Sequence, residues 1–192
     1  MNAGRRALFL DRDGVINEDA GYTHRWEDFV FVDGIFGLCR HAHAQGWLLI
    51  VVTNQAGIGR GFYGEDAFHA LTARMCERFA AEGAPIAKVY FDPTHPEHGI
   101  GEYRRASPMR KPNPGMLLLA AEEFRISLAD SVLVGDKASD ILAGLAAGVR
   151  CNLLYRPGGG EDGTSPEASG FGETAVIAHL HDARRFIASP QG

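Results

Sequence analysis

The sequence predicts an α/β fold built on an open sheet of parallel strands. Short apolar runs of strand length alternate with segments of helical period along the 192 residues. Three of these runs, at 7–10, 48–52 and 131–134, are followed immediately by polar side chains. Because a domain usually has roughly 150 residues, we expect one domain over residues 1–192.

Local patterns predict the other elements. Residues 88–91 and 151–155 have the composition of two further strands. Residues 64–82 place apolar side chains three and four positions apart, as in an amphipathic helix. A second helix is predicted to begin at 113–115, where a proline is tolerated in the first turn, and a third at Ser139.

The C-terminal part of the chain is predicted to contain a flexible loop. Residues 157–172 are rich in Gly, Ser, Pro and acidic residues, a composition typical of loops. A small strand at 175–178 and a closing helix at 179–188 follow it.

Composition and charge exclude several classes of protein. The chain has 19 basic and 24 acidic residues and a net charge of −5, which disfavours nucleic acid binding. It has no apolar run of about 18 residues, and its first residues lead into a strand instead of a signal-peptide core, so we expect a cytoplasmic protein. The three cysteines, Cys39, Cys76 and Cys151, fit reduced thiols better than a disulfide framework.

Polar residues that follow three different strands are the candidate site. Asp11 and Asp13 follow the first run, Thr53 the second and Asp136 the third, and Lys111 lies in a proline-bounded loop. Ligands of an open parallel sheet bind beyond the carboxyl ends of its strands, so we expect these side chains to converge.

Crowded carboxylates repel one another and need a cation, and oxygen ligands favour Mg²⁺. With the Thr53 hydroxyl and the Lys111 ammonium, such an ion makes a receptor for a phosphoryl group. The residues therefore predict phosphoryl transfer.

The motifs DRDGV at 11–15 and GDKASD at 135–140, together with Thr53 and Lys111, resemble those of the haloacid dehalogenase superfamily. The resemblance implies a three-layer, Rossmann-like parallel sheet. It also implies that Asp11 is the nucleophile and Asp13 the general acid/base. Mg²⁺ would be held by the carboxylates of Asp11 and Asp136 and the backbone carbonyl of Asp13. Asp140 is expected to orient Lys111 or metal-bound water.

The spacing between motifs leaves no room for a cap domain, so we expect an open site. The interval 13–53 is predicted to hold a loop and one helix, and 53–111 one helix, one strand and an irregular stretch. Specificity is therefore assigned to the short loops at 19–22, 55–61 and 92–109.

A longer match is to a narrower family. The motifs FLDRDG at 9–14, GY at 21–22, VTNQAGI at 52–58 and RKPNPGM at 110–116 resemble D-glycero-D-manno-heptose 1,7-bisphosphate 7-phosphatases. The resemblance implies hydrolysis of the C7 phosphate on the route to nucleotide-activated heptose, for lipopolysaccharide core or other surface glycans. The expected substrate-binding residues are Asp19, Gly21, Tyr22, Asn54, Gln55, Arg110 and Lys137.

The chain departs from this family at a loop that commonly holds a structural zinc. Non-thiolate residues occupy the four ligand positions, so we expect zinc to be absent. Packing of Ile100, Tyr103 and Met109, with the prolines, is expected to hold the loop instead. The four ligand positions are occupied by Asp92, Thr94, Ser107 and Met109.

Two alternatives remain open from the sequence. Histidinol-phosphate phosphatases share much of the pattern and are the second candidate enzyme. A phosphoacceptor module resembling response-regulator receivers is the non-enzyme alternative, although Asp11 and Asp13 follow one strand here and not two. We expect a monomer that acts on a small sugar phosphate, without a nucleic acid or membrane partner.

Overall fold

Six parallel strands form one open sheet in the computed structural model, which describes residues 4–158 and 172–187. The order across the sheet is β3-β2-β1-β4-β5-β6. This confirms the predicted parallel α/β fold; the last strand begins two positions earlier than predicted. The strands are β1 (Ala7–Leu10), β2 (Leu48–Asn54), β3 (Lys88–Asp92), β4 (Val132–Gly135), β5 (Cys151–Tyr155) and β6 (Glu173–Ile177).

In the described part of the chain, five α-helices connect the strands. They are α1 (Ile35–Ala44), α2 (Ala56–Gly59), α3 (Glu65–Ala81), α4 (Gly115–Phe124) and α5 (Ala138–Ala147). Two expectations need correction. The predicted loop at 55–61 is not wholly irregular, because it contains α2. The predicted closing helix is the 3-10 segment Leu180–Phe186, whose first turn is capped by a hydrogen bond from the His179 backbone N–H to Asp182.

The sheet has an apolar layer on each face. Leu8 and Leu10 of β1 belong to a core with α1 and α3, whereas Phe9 packs into a second core with α4 and α5. This follows from the period of two along a strand, which points successive side chains to opposite faces. The result is the predicted three-layer arrangement.

The order of the strands opens a crevice beside β1. The chain goes from β1 outward to β2 and β3, and then returns to place β4 on the other side of β1. Such a reversal separates the connections on the two sides and leaves a ligand-binding crevice at the carboxyl ends of the strands. Asp11 lies at this crevice because it directly follows β1.

The segments between the site motifs contain no additional domain. Between residue 13 and the start of β2 the structure has α1, the 3-10 turn Trp26–Asp28 and irregular chain, so the site is uncapped on this side, as predicted. The predicted flexible loop at 157–172 falls almost wholly outside the described residues. The three cysteines are free thiols. Within the described ranges, no helix has the length and apolar character needed to cross a membrane.

Candidate active site

A cavity of about 470 Å³ opens at the carboxyl ends of β1 and β2. Of the predicted site residues, all except Thr53 and Asp136 line it. Thr53 contacts the lining residue Gln55, and Asp136 lies 3.8 Å from the lining residue Lys137. Tyr63 also lines it, although the sequence analysis did not single it out. The predicted residues that line the cavity are Asp11, Asp13, Asp19, Gly21, Tyr22, Asn54, Gln55, Arg110, Lys111, Lys137 and Asp140.

Lys111 makes the central ion pairs of the site. Its Nζ lies 2.8 Å from Asp11 Oδ1 and 2.5 Å from Asp140 Oδ1, and it donates a 2.8 Å hydrogen bond to the Val52 carbonyl. All three charged side chains are almost completely buried. With three acceptors around three N–H donors, the ammonium has its full hydrogen-bonding capacity used.

Burial and charge act in opposite directions on this cluster. Burial raises the pKa of Asp11, and the Lys111 ammonium only partly opposes that rise. For Lys111, burial alone would lower the pKa, but the negative charges of Asp11 and Asp140 outweigh it and raise the pKa. Lys111 is therefore favoured as a cation, and further positive charge beside Asp11 would favour its carboxylate form.

The residues around Asp11 fit a divalent cation as that further charge. Carboxylate oxygens of Asp11, Asp136 and Asp140 lie within 4.8 Å of one another. Asp136 Oδ1 is buried without a hydrogen-bond partner. Burial and the neighbouring Asp11 raise the pKa of Asp136 to about 7. An oxygen-rich set with an orphaned carboxylate oxygen suits a hard cation such as Mg²⁺.

Asp140 is less suited than Asp136 to be a ligand of the cation, because both of its carboxylate oxygens have other partners. One oxygen contacts Lys111, and the other accepts a 3.0 Å hydrogen bond from the Lys137 backbone N–H at the start of α5. Both oxygens are thus used to fix the lysine and the helix. This arrangement supports the expectation that Asp140 orients Lys111.

Asp13 is held at the wall of the cavity by three side chains. Arg12, which is buried, donates from one nitrogen to both oxygens at 2.8 and 2.9 Å. Asn17 and Gln55 donate at 3.1 and 2.9 Å. Arg12 was not predicted as a site residue, because a charged residue between two aspartates is ordinarily solvated.

Gln55 connects Asp13, which follows β1, with Thr53 in β2. Its Nε2 donates to Thr53 Oγ1 at 2.8 Å as well as to Asp13, and its Oε1 accepts a 2.6 Å hydrogen bond from the Tyr63 hydroxyl. Thr53 is 1% exposed, so its hydroxyl is connected to the cavity through Gln55. No signal in the sequence relates Tyr63 to Gln55, since the contact depends on how the chain turns through α2.

Asn54 makes hydrogen bonds to the backbone of Lys111 that the sequence did not predict. Its side-chain amide donates to the Lys111 carbonyl at 2.9 Å and accepts from the Lys111 backbone N–H at 3.0 Å. The two bonds clamp the peptide that carries the lysine. Asn54 lines the cavity but its amide is already paired in this way.

The mouth of the cavity is built from the loop after β1. Lys137 Nζ lies 2.9 Å from Asp19, which joins this loop to the start of α5. Tyr22 stands beside it, half exposed, and Arg60 contacts both its hydroxyl and its ring. Gly21 has a φ of 81°, a left-handed conformation that glycine tolerates well.

The loop from 92 to 109 is only partly held as the sequence predicted. Tyr103 and Met109 pack against buried clusters. Ile100, however, is 63% exposed, so that part of the prediction is wrong. Asp92 and Ser107 are instead buried and hydrogen-bonded to each other.

Comparisons with known proteins find phosphatases among the relatives of this chain. A family model described as HAD-hydrolase-like matches residues 108–183. A Burkholderia mallei protein named D-glycero-alpha-D-manno-heptose-1,7-bisphosphate 7-phosphatase is 63% identical over 149 residues, which is 78% of this chain and 79% of that protein. A Vibrio cholerae protein named as the 7-phosphatase of the beta anomer is 48% identical over 152 residues, 79% of this chain and 82% of its own length.

Solved structures show the same fold. A HAD-like phosphatase from Mesorhizobium loti superposes with a TM-score of 0.85 at 35% identity, covering 97% of this chain and 88% of the other. A D,D-heptose 1,7-bisphosphate phosphatase from B. bronchiseptica, complexed with magnesium and phosphate, gives a TM-score of 0.75 at 25% identity and covers 94% of this chain and 96% of its own.

Proposed function

This chain belongs to the heptose-1,7-bisphosphate 7-phosphatase family of HAD-like hydrolases, and we propose that it removes the C7 phosphate of D-glycero-D-manno-heptose 1,7-bisphosphate through an aspartyl phosphate. It is a phosphoric monoester hydrolase. The observation that carries the proposed mechanism is the buried Lys111 ammonium between Asp11 and Asp140 at the end of β1. Such a group offsets the charge of a phosphoryl group that approaches Asp11.

Asp11 is the nucleophile in the first half of the reaction. A carboxylate oxygen forms a bond to phosphorus while the bond from phosphorus to the C7 oxygen breaks. Asp13 gives a proton to the departing C7 oxygen. Lys111 donates a hydrogen bond to Asp11, and its positive charge lowers the barrier by compensating negative charge on the phosphoryl group.

The second half releases phosphate and restores the enzyme. A water oxygen attacks phosphorus and gives its proton to Asp13, and the bond between phosphorus and the Asp11 oxygen breaks. One carboxyl therefore serves as acid and then as base. Arg12, Asn17 and Gln55 are suited to keep that carboxyl in one place during both steps, since they all donate to it.

Mg²⁺ is the cation that we assign to this site. Its ligands would be the carboxylates of Asp11 and Asp136 and the backbone carbonyl of Asp13. When bound, it supplies Lewis-acid charge compensation for the phosphoryl oxygens. The B. bronchiseptica structure complexed with magnesium and phosphate supports this assignment, as does the orphaned oxygen of Asp136.

The rest of the sugar phosphate is bound at the mouth of the cavity. Arg110 and Lys137 are the cationic residues there beyond Lys111, and Arg110 offers a fork of donors suited to phosphate or sugar oxygens. Asp19, Gly21 and Tyr22 form the neighbouring wall. We assign the product to the synthesis of nucleotide-activated heptose for surface glycans.

The α anomer is the preferred form of the substrate in this proposal. The relative named for the alpha anomer is 63% identical to this chain, whereas relatives named for the beta anomer are 48% and 43% identical. Anomer choice is a difference in kcat/KM between two substrates, so both must be measured with the same enzyme.

Steady-state kinetics test the proposal. We expect kcat/KM for the α heptose bisphosphate to exceed that for the β anomer and that for histidinol phosphate, and Asp11→Asn to abolish turnover. A larger kcat/KM for histidinol phosphate would overturn the proposed substrate. Retained turnover in Asp11→Asn would overturn the mechanism.

A further inference from the structure

A buried carboxylate closes the base of the loop that leads to Arg110. Asp92 Oδ1 accepts hydrogen bonds from the backbone N–H of Thr94 at 2.9 Å and from its hydroxyl at 2.6 Å. Asp92 Oδ2 accepts a 2.5 Å hydrogen bond from the Ser107 hydroxyl. We call these three residues, Asp92, Thr94 and Ser107, the Asp92 knot.

The knot is buried although it is polar. Asp92, Thr94 and Ser107 are 3%, 1% and 7% exposed. A buried carboxylate whose partner is removed loses a hydrogen bond without gaining water, so each member of such a cluster is strongly constrained. The knot therefore fixes the two ends of the loop relative to each other far more tightly than the exposed residues between them do.

The knot contacts Arg110 from both ends of the loop. The Thr94 carbonyl accepts a 2.8 Å hydrogen bond from Arg110 Nη1, which orients the guanidinium. The Ser107 carbonyl accepts from the Arg110 backbone N–H at 3.3 Å, and the Ser107 hydroxyl also accepts from the Met109 N–H at 3.1 Å. Side chain and backbone of Arg110 are thus both set by members of the knot.

The knot is also joined to the wall of the cavity. The Asp92 carbonyl accepts a 2.7 Å hydrogen bond from the Gln55 backbone N–H, and the Pro93 carbonyl accepts from the Gly59 N–H at 3.1 Å. A Cβ at Gly59 would come within 2.3 Å of that carbonyl, so the two segments approach as closely as glycine permits. The knot and the phosphoryl site consequently share one rigid wall.

We propose that Asp92, Thr94 and Ser107 are positioning residues that hold the Arg110 guanidinium ready to bind the phosphate that the enzyme does not remove. This rests on the proposed function, because it assigns a second phosphate to the substrate. One N–H of Arg110 is used by Thr94, and its remaining donors are available to a ligand in the cavity that it lines. A guanidinium held in advance loses less conformational entropy when it binds an anion.

The first test compares a bisphosphate with a substrate that lacks the second phosphate. Ser107→Ala removes the hydroxyl that ties residue 107 to Asp92. We expect KM for the heptose bisphosphate to rise about tenfold with kcat changed by less than about twofold, because uniform binding is lost and chemistry is not. The ratio of kcat/KM for the bisphosphate to that for an aryl phosphate should fall about tenfold. Ser127→Ala, which removes an exposed serine-to-aspartate hydrogen bond outside the cavity, is the matched control and should keep the wild-type ratio.

The second test asks whether the knot acts through Arg110. If it does, the effects of Ser107→Ala and Arg110→Ala on KM should not multiply, and the double variant should resemble Arg110→Ala alone. If the Asp92 knot only supports the fold, Ser107→Ala should lower kcat/KM by the same factor for both substrates. Its effect on KM should then multiply with the effect of Arg110→Ala. Thr94→Val removes a hydroxyl at constant volume and repeats the cycle if Ser107→Ala does not fold.

The outcomes separate this inference from the proposed function. A wild-type enzyme without preference for the bisphosphate over the aryl phosphate would overturn both. A wild-type enzyme that shows the preference, with Ser107→Ala and Thr94→Val that keep it, would overturn the inference alone. Multiplying effects in the double variant would also overturn it.

Discussion

Lys111 Nζ lies closer to Asp140 than to Asp11, at 2.5 Å against 2.8 Å. The proposed nucleophile therefore shares its lysine with a second carboxylate, and that carboxylate also anchors the start of α5 through the Lys137 N–H. The position of the ammonium is consequently set by the helix as well as by Asp11. Removing Asp140 should displace the lysine without removing any group that reacts.

Asp140→Asn tests that relationship. We expect kcat to fall about tenfold or more, since a catalytic cation that moves by even a fraction of an ångström loses much of its effect. Steady-state kinetics and a thermal melt of the same variant would measure it. Asp130→Asn, at a surface carboxylate bonded to Ser127, is the control and should behave like the wild type. An Asp140→Asn enzyme with wild-type kcat would contradict the role of Asp140.

Tyr63→Phe should reduce turnover without removing a reacting group. The change leaves Gln55 Oε1 without its 2.6 Å hydrogen bond, and Gln55 then holds Asp13 and Thr53 less firmly. We expect kcat to fall about threefold to tenfold, the size of one lost hydrogen bond. Tyr103→Phe removes a hydroxyl that bonds Glu65 outside the cavity, and we expect no change in kcat. Equal effects of the two variants would show that Gln55 does not depend on Tyr63.

The stabilisation of the protein by Mg²⁺ should depend on pH because of Asp136. Burial and the neighbouring Asp11 raise the pKa of this residue from its ordinary 3.8 to about 7. A raised pKa means that the folded, metal-free protein binds a proton that the unfolded chain has lost. The stability linked to Asp136 is therefore fully present below the unfolded pKa and is lost as pH rises through the folded pKa.

We accordingly expect the Tm of EDTA-treated protein to decline as pH rises from 4 to about 7, within the window that these two pKa values define. The difference in Tm between Mg²⁺ and EDTA should grow over the same range and level off above it, because Mg²⁺ displaces the proton. In Asp136→Asn, both the Tm in EDTA and the difference in Tm between Mg²⁺ and EDTA should depend less on pH. A magnesium effect on Tm that is independent of pH would refute this linkage.

Gly14→Ala should disable the site for a steric reason. Gly14 has a φ of 94°, and a Cβ there would lie 2.2 Å from Asp136 Oδ2. We expect the variant to lose magnesium-dependent turnover and part of its stability. Gly83→Ala is the matched control, because Gly83 has a φ of 73° with nothing within 4 Å of its Cβ position. It should lose only about 1–2 kcal/mol of stability from the left-handed backbone and keep its turnover. Parallel losses in the two variants would mean that the contact with Asp136 is unimportant.

The fold and the phosphoryl site were predictable for one physical reason. Leu10 pairs with Val134, so Asp11, one position beyond Leu10, and Asp136, two positions beyond Val134, lie near each other at one edge of the sheet whatever the loops do. The position of Asp11 beside Asp136 follows from that register. The bounds of β1 and β5 were similarly predictable because these strands are nearly continuous buried apolar runs, whereas β2 extends to Asn54 and so includes Thr53.

Contacts made by loops were not predictable in the same way. The bond between Asp92 and Ser107 spans 15 positions of irregular chain and depends on where that chain turns back. Apolar packing that included Ile100 was predicted to hold this loop, but Ile100 is exposed. Arg12 was also missed, because only the three-dimensional structure shows that it is buried against Asp13.

The most direct test is to stop the reaction within the first turnover and locate the phosphate on the protein. With heptose bisphosphate labelled at the C7 phosphate, we expect an acyl phosphate on the peptide that contains Asp11, and none in Asp11→Asn. Configuration at phosphorus should be retained, because two displacements occur in sequence. Absence of any labelled peptide, together with inversion at phosphorus, would show that water displaces the sugar directly and would contradict the account.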